Sequence, residues 1–414
     1  MDRITKDKLG RYGLSIKANR KRQLHLTNAA KWTQKEFCKD ICSQNALINM
    51  ERGHAGRFRD NYLMLAEKLD LKITHNPDLD KKIEPLTKRL YHALEYYDLD
   101  DIKKTTRKLS NCLVHVKDFL WYCDLYQVVK AVEQHYLHQN YLSPDDRVYF
   151  ADMIDEFSSD WDDIIKSIVF LSAYLDFDSE EYRDRFYEFN LANNRAAFNK
   201  VNTLSFYLTD NHNTKLFLLI QELEAEWTEK KNIIRLIDLY NMELLHKSYY
   251  DVYELRQADI KITNMIQTHS IPKQKLAETY YNLGTAYLKI KDYEKTTDMM
   301  KKCIEYDVKK KKLSFVYLAH AQRMCGQKIV IPYYTQEELN HFPAIYSPIF
   351  QFYSNLNHIS VEQSESYLMD EILPMMNPDD DITIEIFQEE LSLLVDKTNH
   401  YKAMMIYMKK TKKA

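Results

Sequence analysis

The chain has 414 residues, of which 45% are hydrophobic, only 6 are glycine and 9 are proline, and its formal net charge is −3. This length exceeds one compact core, so two or three domains or an array of repeats is expected. So little glycine disfavours sheets with tight hairpins and predicts an all-α fold. The lack of a long apolar run or a signal peptide predicts a cytoplasmic protein without a membrane contact.

Charge is distributed unevenly along the chain. Residues 1–73 contain 16 Lys and Arg against 8 Asp and Glu, whereas residues 74–414 contain 42 against 53. A basic segment beside an acidic remainder indicates that the segment binds a polyanion. We therefore expect an N-terminal domain over 1–73 and a second domain over 85–414. The segment THNPDLDKKIEP is expected to form a linker over 74–84 or to cap the next helix.

Four short helices are expected in the first domain. LSIKANRKRQ (14–23) predicts the first helix. Thr33, with Glu36 completing a capping box, predicts a second over about 33–40. Ser43 predicts the start of a third over 44–52, and Gly53 is expected to end it in the left-handed conformation. The last helix is expected over 57–73, with an apolar face of Tyr62, Leu65, Ala66 and Leu69.

The motifs TQKEF, CSQNALINMERG and NYLMLAEKLDL, in this order, resemble the lambda-repressor/Cro-type (XRE) helix-turn-helix. The segment LHLTNAAK lies between the first helix and Thr33 and lengthens the usual connection. The resemblance implies that the helix over 44–52 enters the major groove of double-stranded DNA. It implies base or phosphate contacts by Gln34, Ser43, Gln44, Asn45, Ile48 and Asn49, and phosphate contacts by Arg20, Lys21, Arg22, Lys31, Arg52, Arg57 and Arg59.

The remainder of the chain alternates amphipathic stretches with brief polar breaks, which predicts a series of helix hairpins. Residues 277–308, AETYYNLGTAYLKIKDYEKTTDMMKKCIEYDV, resemble a tetratricopeptide repeat, and Gly284 is expected to let the second helix approach closely. Related pairs are expected near 88–109, 111–135, 163–202, 233–255 with its KSYYD turn, 313–327, 346–373 and 382–409. Repeats of this kind imply a right-handed superhelix of seven to nine pairs with a concave groove.

The groove of such an array is formed by positions that the repeat motif leaves free. Asparagine amides there can pair with the backbone of a short peptide whatever its side chains. The expected peptide contacts are Asn241, Tyr281, Asn282, Thr285, Tyr317, His320 and Arg323. The acidic run NPDDDITIEIF (377–387) is interpreted as a helix N-terminus rather than a cation site.

The sequence contains no Gly-rich phosphate loop, HExxH or Gly-x-Ser-x-Gly, so we expect neither an enzyme nor a cofactor or a bound metal. The six cysteines are expected to be reduced thiols, although Cys38 and Cys42 share a helix face and leave a redox or metal site open.

A basic DNA-binding segment followed by tetratricopeptide-like repeats resembles the peptide-pheromone-responsive regulators of the Rgg/PlcR/NprR/PrgX class. This resemblance implies a homodimeric transcription regulator that binds operator DNA and is controlled, in quorum sensing, by a short signalling peptide. Three alternatives remain open. A protein partner could control the regulator, the repeats could bind a response regulator as Rap-like proteins do, or the chain could be a scaffold that does not bind DNA.

Overall fold

The computed structural model describes residues 6–74, 76–176, 180–247, 252–307, 312–332, 335, 344–356, 358–376, 381–398 and 400–401. These residues form helices and connecting turns, and they contain no β-strand; one isolated parallel bridge pairs Lys72 with Phe119. No helix in these ranges is both long and apolar enough to cross a membrane. The all-α prediction is therefore confirmed for the described part of the chain.

The chain divides into two compact units, Met1–Leu239 and Tyr240–Ala414. The helices that begin in the first unit are α1 Lys6–Thr27, α2 Gln34–Phe37, α3 Gln44–Glu51, α4 Arg59–Glu67, α5 Pro77–Glu95, α6 Leu99–Leu113, α7 Tyr122–His138, α8 Pro144–Ala151, α9 Ser159–Tyr174, α10 Glu181–Glu188, α11 Ala197–Thr209, α12 Asn213–Glu229 and α13 Ile233–Lys247. The helices of the second unit are α14 Val252–Thr268, α15 Lys273–Lys289, α16 Tyr293–Tyr306, α17 Lys312–Met324, α18 Tyr346–Asn355, α19 Val361–Tyr367 and α20 Asp381–Thr398.

Helices α1 to α4 surround one small core. Its largest members are fully buried aromatic and aliphatic side chains, among them Ile16, Phe37, Leu47, Met50 and Tyr62. Helix α1 lies so close to the end of α3 that a Cβ added at Gly13 would be 1.9 Å from the carbonyl oxygen of Met50. Only glycine permits this approach, so Gly13 sets the spacing between the two helices.

The local signals in this segment predict the ends of α3 well. The Ser43 hydroxyl accepts a hydrogen bond from the backbone N–H of Ala46 at 3.2 Å, which is an N-cap contact. Gly53 has a φ of 80°, so the prediction of a left-handed residue after the helix is confirmed. The prediction makes the first helix too short at both ends, because α1 begins at Lys6 and continues through LHLT of the segment LHLTNAAK to Thr27, before a 3₁₀ turn at Ala30–Trp32.

Most of the segment expected to be a linker is helical. Residues 77–84, expected in a linker, form the first turns of α5. The alternative that this segment caps a helix is confirmed, because the Asn76 side chain accepts a hydrogen bond from the backbone N–H of Leu79. The division into two compact units falls at residue 239. The basic segment is joined to the connection between α6 and α7 by backbone hydrogen bonds from Lys72 to Asp118 and from Leu120 to Lys72.

The larger core of the first unit is built by α5 to α11. Fully buried members include Leu90, Leu125, Ile165, Phe170 and Phe206. Successive helices pack along each other, as α5 with α6 and α6 with α7. Several connections place a residue other than glycine in the left-handed conformation, for example Tyr97 with φ 53° and Lys231 with φ 53°. These short turns allow helix hairpins to form in a chain with very little glycine.

In the second unit, α15 and α16 occupy the segment that resembles a tetratricopeptide repeat. Gly284 of α15 faces Met300 of α16, and a Cβ at residue 284 would be 2.7 Å from the methyl carbon of Met300. The expected close approach at Gly284 is therefore confirmed. A core shared by α15 to α20 includes Leu288, Phe352 and Phe387. The KSYYD turn at 248–251, the start of the acidic run at 377–380 and residues 402–409 lie outside the described residues.

Candidate functional site

Helix α3 has one face in the core and one face in solvent. Leu47, Met50 and Glu51 are buried, whereas Gln44, Asn45 and Asn49 are exposed on the opposite side. The amides of these three exposed residues form no side-chain hydrogen bond with the described residues. A short helix with a fixed inner face and free amides outside is suited to contact the edges of base pairs, because an amide can pair with adenine in two places.

A buried ion pair holds the inner face of α3. Arg20 of α1 donates from Nε to Glu51 Oε1 at 2.6 Å and from Nη2 to Glu51 Oε2 at 3.0 Å, and both side chains are about 95% buried. Arg20 also donates from Nη1 to the carbonyl oxygen of Trp32 at 2.8 Å. The Gln34 amide donates to Glu51 Oε2 at 2.7 Å. One carboxylate therefore fixes α1, the 3₁₀ turn, the start of α2 and the end of α3.

This arrangement corrects two of the expected phosphate contacts. Arg20 is 3% exposed and its guanidinium is fully engaged, so it cannot reach DNA in this structure. The Gln34 side-chain nitrogen is held by Glu51 and is not available to phosphate either. Glu51 is absent from the residues predicted to matter for the site. Its position one turn after Leu47 on the apolar face is the sequence signal that this carboxylate is buried and paired.

Three other cations of α1, Lys17, Lys21 and Arg22, face α8 rather than the exposed side of α3. Lys17 and Lys21 both pair with Asp152, at 3.0 Å and 2.8 Å. Arg22 lies 3.7 Å from Asp146 and its guanidinium carbon is 4.3 Å from the centre of the Tyr149 ring. Lys21 and Arg22 therefore pair with carboxylates of α8 in this structure while remaining partly exposed, and their DNA contacts stay predictions. Much of the positive charge in residues 1–73 is neutralised within the unit.

A second buried cluster attaches α1 to α7 and α8. Asp124 of α7 accepts hydrogen bonds from Ser15 and, at 2.8 Å each, from Asn19 and Tyr149. Burial raises the pKa of Asp124 despite these donors. The pKa of Glu156 is raised well above its usual value by burial and by the neighbouring Asp124. Ionisation of Glu156 is therefore disfavoured beside Asp124.

Other expected DNA contacts besides the amides remain at the surface. Ser43 is exposed at the start of α3, and Ile48 is half-buried on its outer side. Arg52 and Arg57 are exposed beyond the end of α3 and form no ion pair with the described residues. Arg59 is likewise exposed. Arg52, Arg57 and Arg59 therefore remain accessible to solvent.

The expected peptide contacts in the second unit are mostly buried. Asn241 is fully buried and donates to the Thr279 hydroxyl at 3.1 Å. Thr285 is 5% exposed and Tyr317 is 3% exposed, so neither offers a surface to a ligand. These three predictions are wrong because the positions that the repeat motif leaves free are covered by neighbouring helices. Tyr281 is half-buried and stacks on Tyr317 at 5.9 Å, and Asn282 is half-exposed.

His320 and Arg323, the last expected peptide contacts, belong to a buried charge network. His320 lies 2.8 Å from Glu390 Oε1 through Nδ1 and 3.0 Å from Glu389 Oε2 through Nε2. Burial disfavours the protonated ring, but the two carboxylates outweigh it and raise the pKa of His320. The pKa of Glu389 falls to about 2, because hydrogen bonds from His320 and Lys291 outweigh the effect of burial. Arg323 Nε pairs with Glu390 at 3.0 Å. His320 and Arg323 are therefore held by carboxylates of the same unit, and both residues are corrected as peptide contacts.

No group of three or more His, Cys, Asp and Glu in the described ranges could hold a metal ion. Cys38 is buried in the core around α3, and Cys42 is half-buried. Burial raises the pKa of Cys42, which disfavours a reactive thiolate. Comparison of the chain with protein-family models, with curated proteins and with solved structures found no match.

Proposed function

We propose that this protein is a transcription regulator that binds double-stranded DNA through α3. The observation that carries the proposal is the exposed row of Gln44, Asn45 and Asn49 on a helix whose opposite face is fixed by Glu51 and the core. Residues 44, 45, 48 and 49 lie on one side of a helix, so their side chains can enter one groove together. The free Arg52 and Arg57 at the end of the helix supply phosphate contacts.

The pairing of the α1 cations within the first unit also bears on the proposal. Arg20, Lys21 and Arg22 position α1, and the DNA surface is confined to α3 and the residues just after it. A surface with two or three free arginines predicts a modest dependence of affinity on salt concentration, since each neutralised phosphate contributes about one unit of slope. Base contacts then account for a large share of the specific affinity.

The resemblance to peptide-responsive regulators supports a dimer whose two copies of α3 read two half-sites of an operator. It also supports a short peptide as the controlling ligand. Of the expected peptide contacts, Asn282 of α15 retains a half-exposed amide that forms no hydrogen bond with the described residues. A peptide backbone can pair with this amide, and the peptide must bind one state of the protein more tightly than the other to have an effect.

Selection of duplexes from a random library with the full chain tests the DNA proposal. We expect a shared sequence to be enriched, and we expect Gln44→Ala with Asn49→Ala to lose the preference for it over random duplex by about ten- to a hundredfold. Arg57→Ala should weaken binding to both duplexes equally. Gln221→Ala, an exposed amide on α12, is the matched control and should change neither.

Two results would overturn the proposal. One is that no sequence is enriched by a protein that retains its helical circular dichroism. The other is that the α3 double variant binds the enriched duplex as the Gln221 control does. The enrichment could also be lost in Arg57→Ala but kept in the variant that lacks the Gln44 and Asn49 amides. That result would mean that the protein contacts only phosphates and that α3 does not read bases.

A further inference from the structure

A cavity of about 380 Å³ opens in the first unit where α1 meets α5, the start of α7 and the start of α9. Its walls include four aromatic side chains, Tyr12, Trp121, Tyr122 and Trp161. Cavities that bind small molecules usually measure about 300–1,000 Å³ and are lined by aromatic residues with a few polar groups. The size of this cavity therefore suits a compact ligand with one ring system.

The aromatic walls are held in place by their own contacts. The Tyr12 hydroxyl donates to the carbonyl oxygen of Thr74 at 2.9 Å, and the Tyr122 hydroxyl donates to Asp80 at 2.7 Å. The rings of Trp121 and Tyr122 pack edge to face, with centroids 5.0 Å apart. Trp161 is 3% exposed. A ligand ring would enter a preformed site and lose little free energy to rearrangement of the walls.

The charged groups around the cavity are mostly paired with each other. Lys8 lies 3.6 Å from Asp80, and Lys88 lies 2.9 Å from Glu84. Two oppositely charged side chains of the lining form no hydrogen bond or ion pair with the described residues, although Asp160 lies close enough to Lys88 to help raise the pKa of that amine. Arg11 of α1 is exposed, and its guanidinium makes no ion pair or hydrogen bond with the described residues. Asp160 in the first turn of α9 also accepts no hydrogen bond and forms no ion pair with them.

We propose that this cavity binds an aromatic zwitterion, namely an aromatic amino acid or a dipeptide that contains one. The ligand ring packs against Trp121, which is half-buried, the Arg11 guanidinium binds the ligand carboxylate, and the Asp160 carboxylate binds its ammonium group. One unpaired charge of each sign favours a zwitterion over a simple anion or cation, because either of those would leave one charge of the site without a partner. The proposal is independent of DNA binding and of the peptide contact at Asn282, so it can fail without affecting them.

The position of the cavity gives the ligand a structural effect. Arg11 and Tyr12 belong to α1, whereas Asp160 and Trp161 belong to α9, so a bound zwitterion adds a link between these two helices. The same α1 contacts α3 at Gly13. We therefore expect the ligand to reduce hydrogen exchange of the α1 backbone in the full chain.

Isothermal titration calorimetry of the full chain with L-phenylalanine, L-tyrosine, L-tryptophan and glycyl-L-phenylalanine tests the proposal. We expect at least one of these probes to bind, and Arg11→Met and Asp160→Asn each to weaken it about tenfold or more, since each removes a charge-assisted contact. Both residues are at the surface or partly exposed, so neither substitution removes core packing. Arg107 is an exposed arginine on α6 that forms no ion pair with the described residues, so Arg107→Met is the matched control and should bind the probe normally.

A derivative of the bound probe whose carboxylate is replaced by a primary amide distinguishes the contact at Arg11 from the contact at Asp160. It should bind the unmodified protein more weakly than the free acid, and Arg11→Met should bind acid and amide equally. The proposal is overturned if none of the four probes binds. It is also overturned if Arg11→Met and Asp160→Asn bind the best probe as tightly as Arg107→Met does.

Discussion

Substitution of Arg20 tests the buried ion pair on which the position of α3 depends. Arg20→Met leaves the Glu51 carboxylate in a site where its side chain is 5% exposed and removes two hydrogen bonds to it, of 2.6 Å and 3.0 Å. Loss of one partner of a buried pair costs about 3–5 kcal/mol, because an uncompensated charge remains in the interior. That is a large part of the about 5–15 kcal/mol by which a domain is stable.

The assay is hydrogen exchange of the full chain followed by mass spectrometry of the peptides that cover residues 30–53. We expect Arg20→Met to increase exchange in α3 about a hundredfold or more, as a loss of about 3 kcal/mol requires. Arg20→Met combined with Glu51→Leu should recover most of the protection, since an apolar pair of similar volume is often neutral or stabilising. Lys39→Met is the control, because Lys39 lies 3.8 Å from Glu36 in an exposed pair of the same segment. Equal exchange in Arg20→Met and Lys39→Met, or no recovery in the double variant, would refute the role assigned to the ion pair.

Two further predictions concern other parts of the chain. Glu389 and Glu390 raise the pKa of His320, so this histidine contributes its full stabilisation below its unfolded pKa of about 6.5 and loses it as pH rises through the raised pKa. The thermal unfolding temperature should therefore decline over that pH range in the unmodified protein but not in His320→Gln. Identical pH profiles of the two proteins would contradict this prediction. Lys231, just after α12, has a φ of 53°, which is strained for any residue with a side chain. Lys231→Gly should therefore raise the free energy of unfolding in urea by about 1 kcal/mol, whereas Lys231→Ala should not. An equal effect of both substitutions would rule out backbone strain as the cause.

The sequence predicts local features of the candidate DNA surface and misses its tertiary contacts. Ser43 and Gly53 define α3 because a cap hydrogen bond and a left-handed residue act within one turn of the chain. The partners Arg20 and Glu51 are 31 residues apart, and Lys21 and Asp152 are 131 residues apart. No local pattern encodes such pairs, so the sequence alone assigns to DNA basic residues of α1 that bind carboxylates of the same unit.

The repeat segment shows a similar division. The hairpin of α15 and α16 and the close approach at Gly284 are predicted by periodicity and by one small residue between two helices. The prediction of ligand contacts fails at Thr285 and His320, because a repeat motif identifies the positions it uses for its own packing but not those that another helix covers. His320 is enclosed by carboxylates of α20, which lies about 70 residues further along the chain.

The salt dependence of DNA binding tests the central claim most directly. Fluorescence anisotropy of a labelled random-sequence duplex, titrated with the full chain from about 50 mM salt upwards, should show binding whose logarithmic affinity falls linearly with the logarithm of salt concentration. Arg57→Ala should reduce that slope by about one unit. If a properly folded full chain shows no binding to any duplex at the lowest salt concentration, α3 is not a DNA-binding helix and the proposed regulator function is wrong.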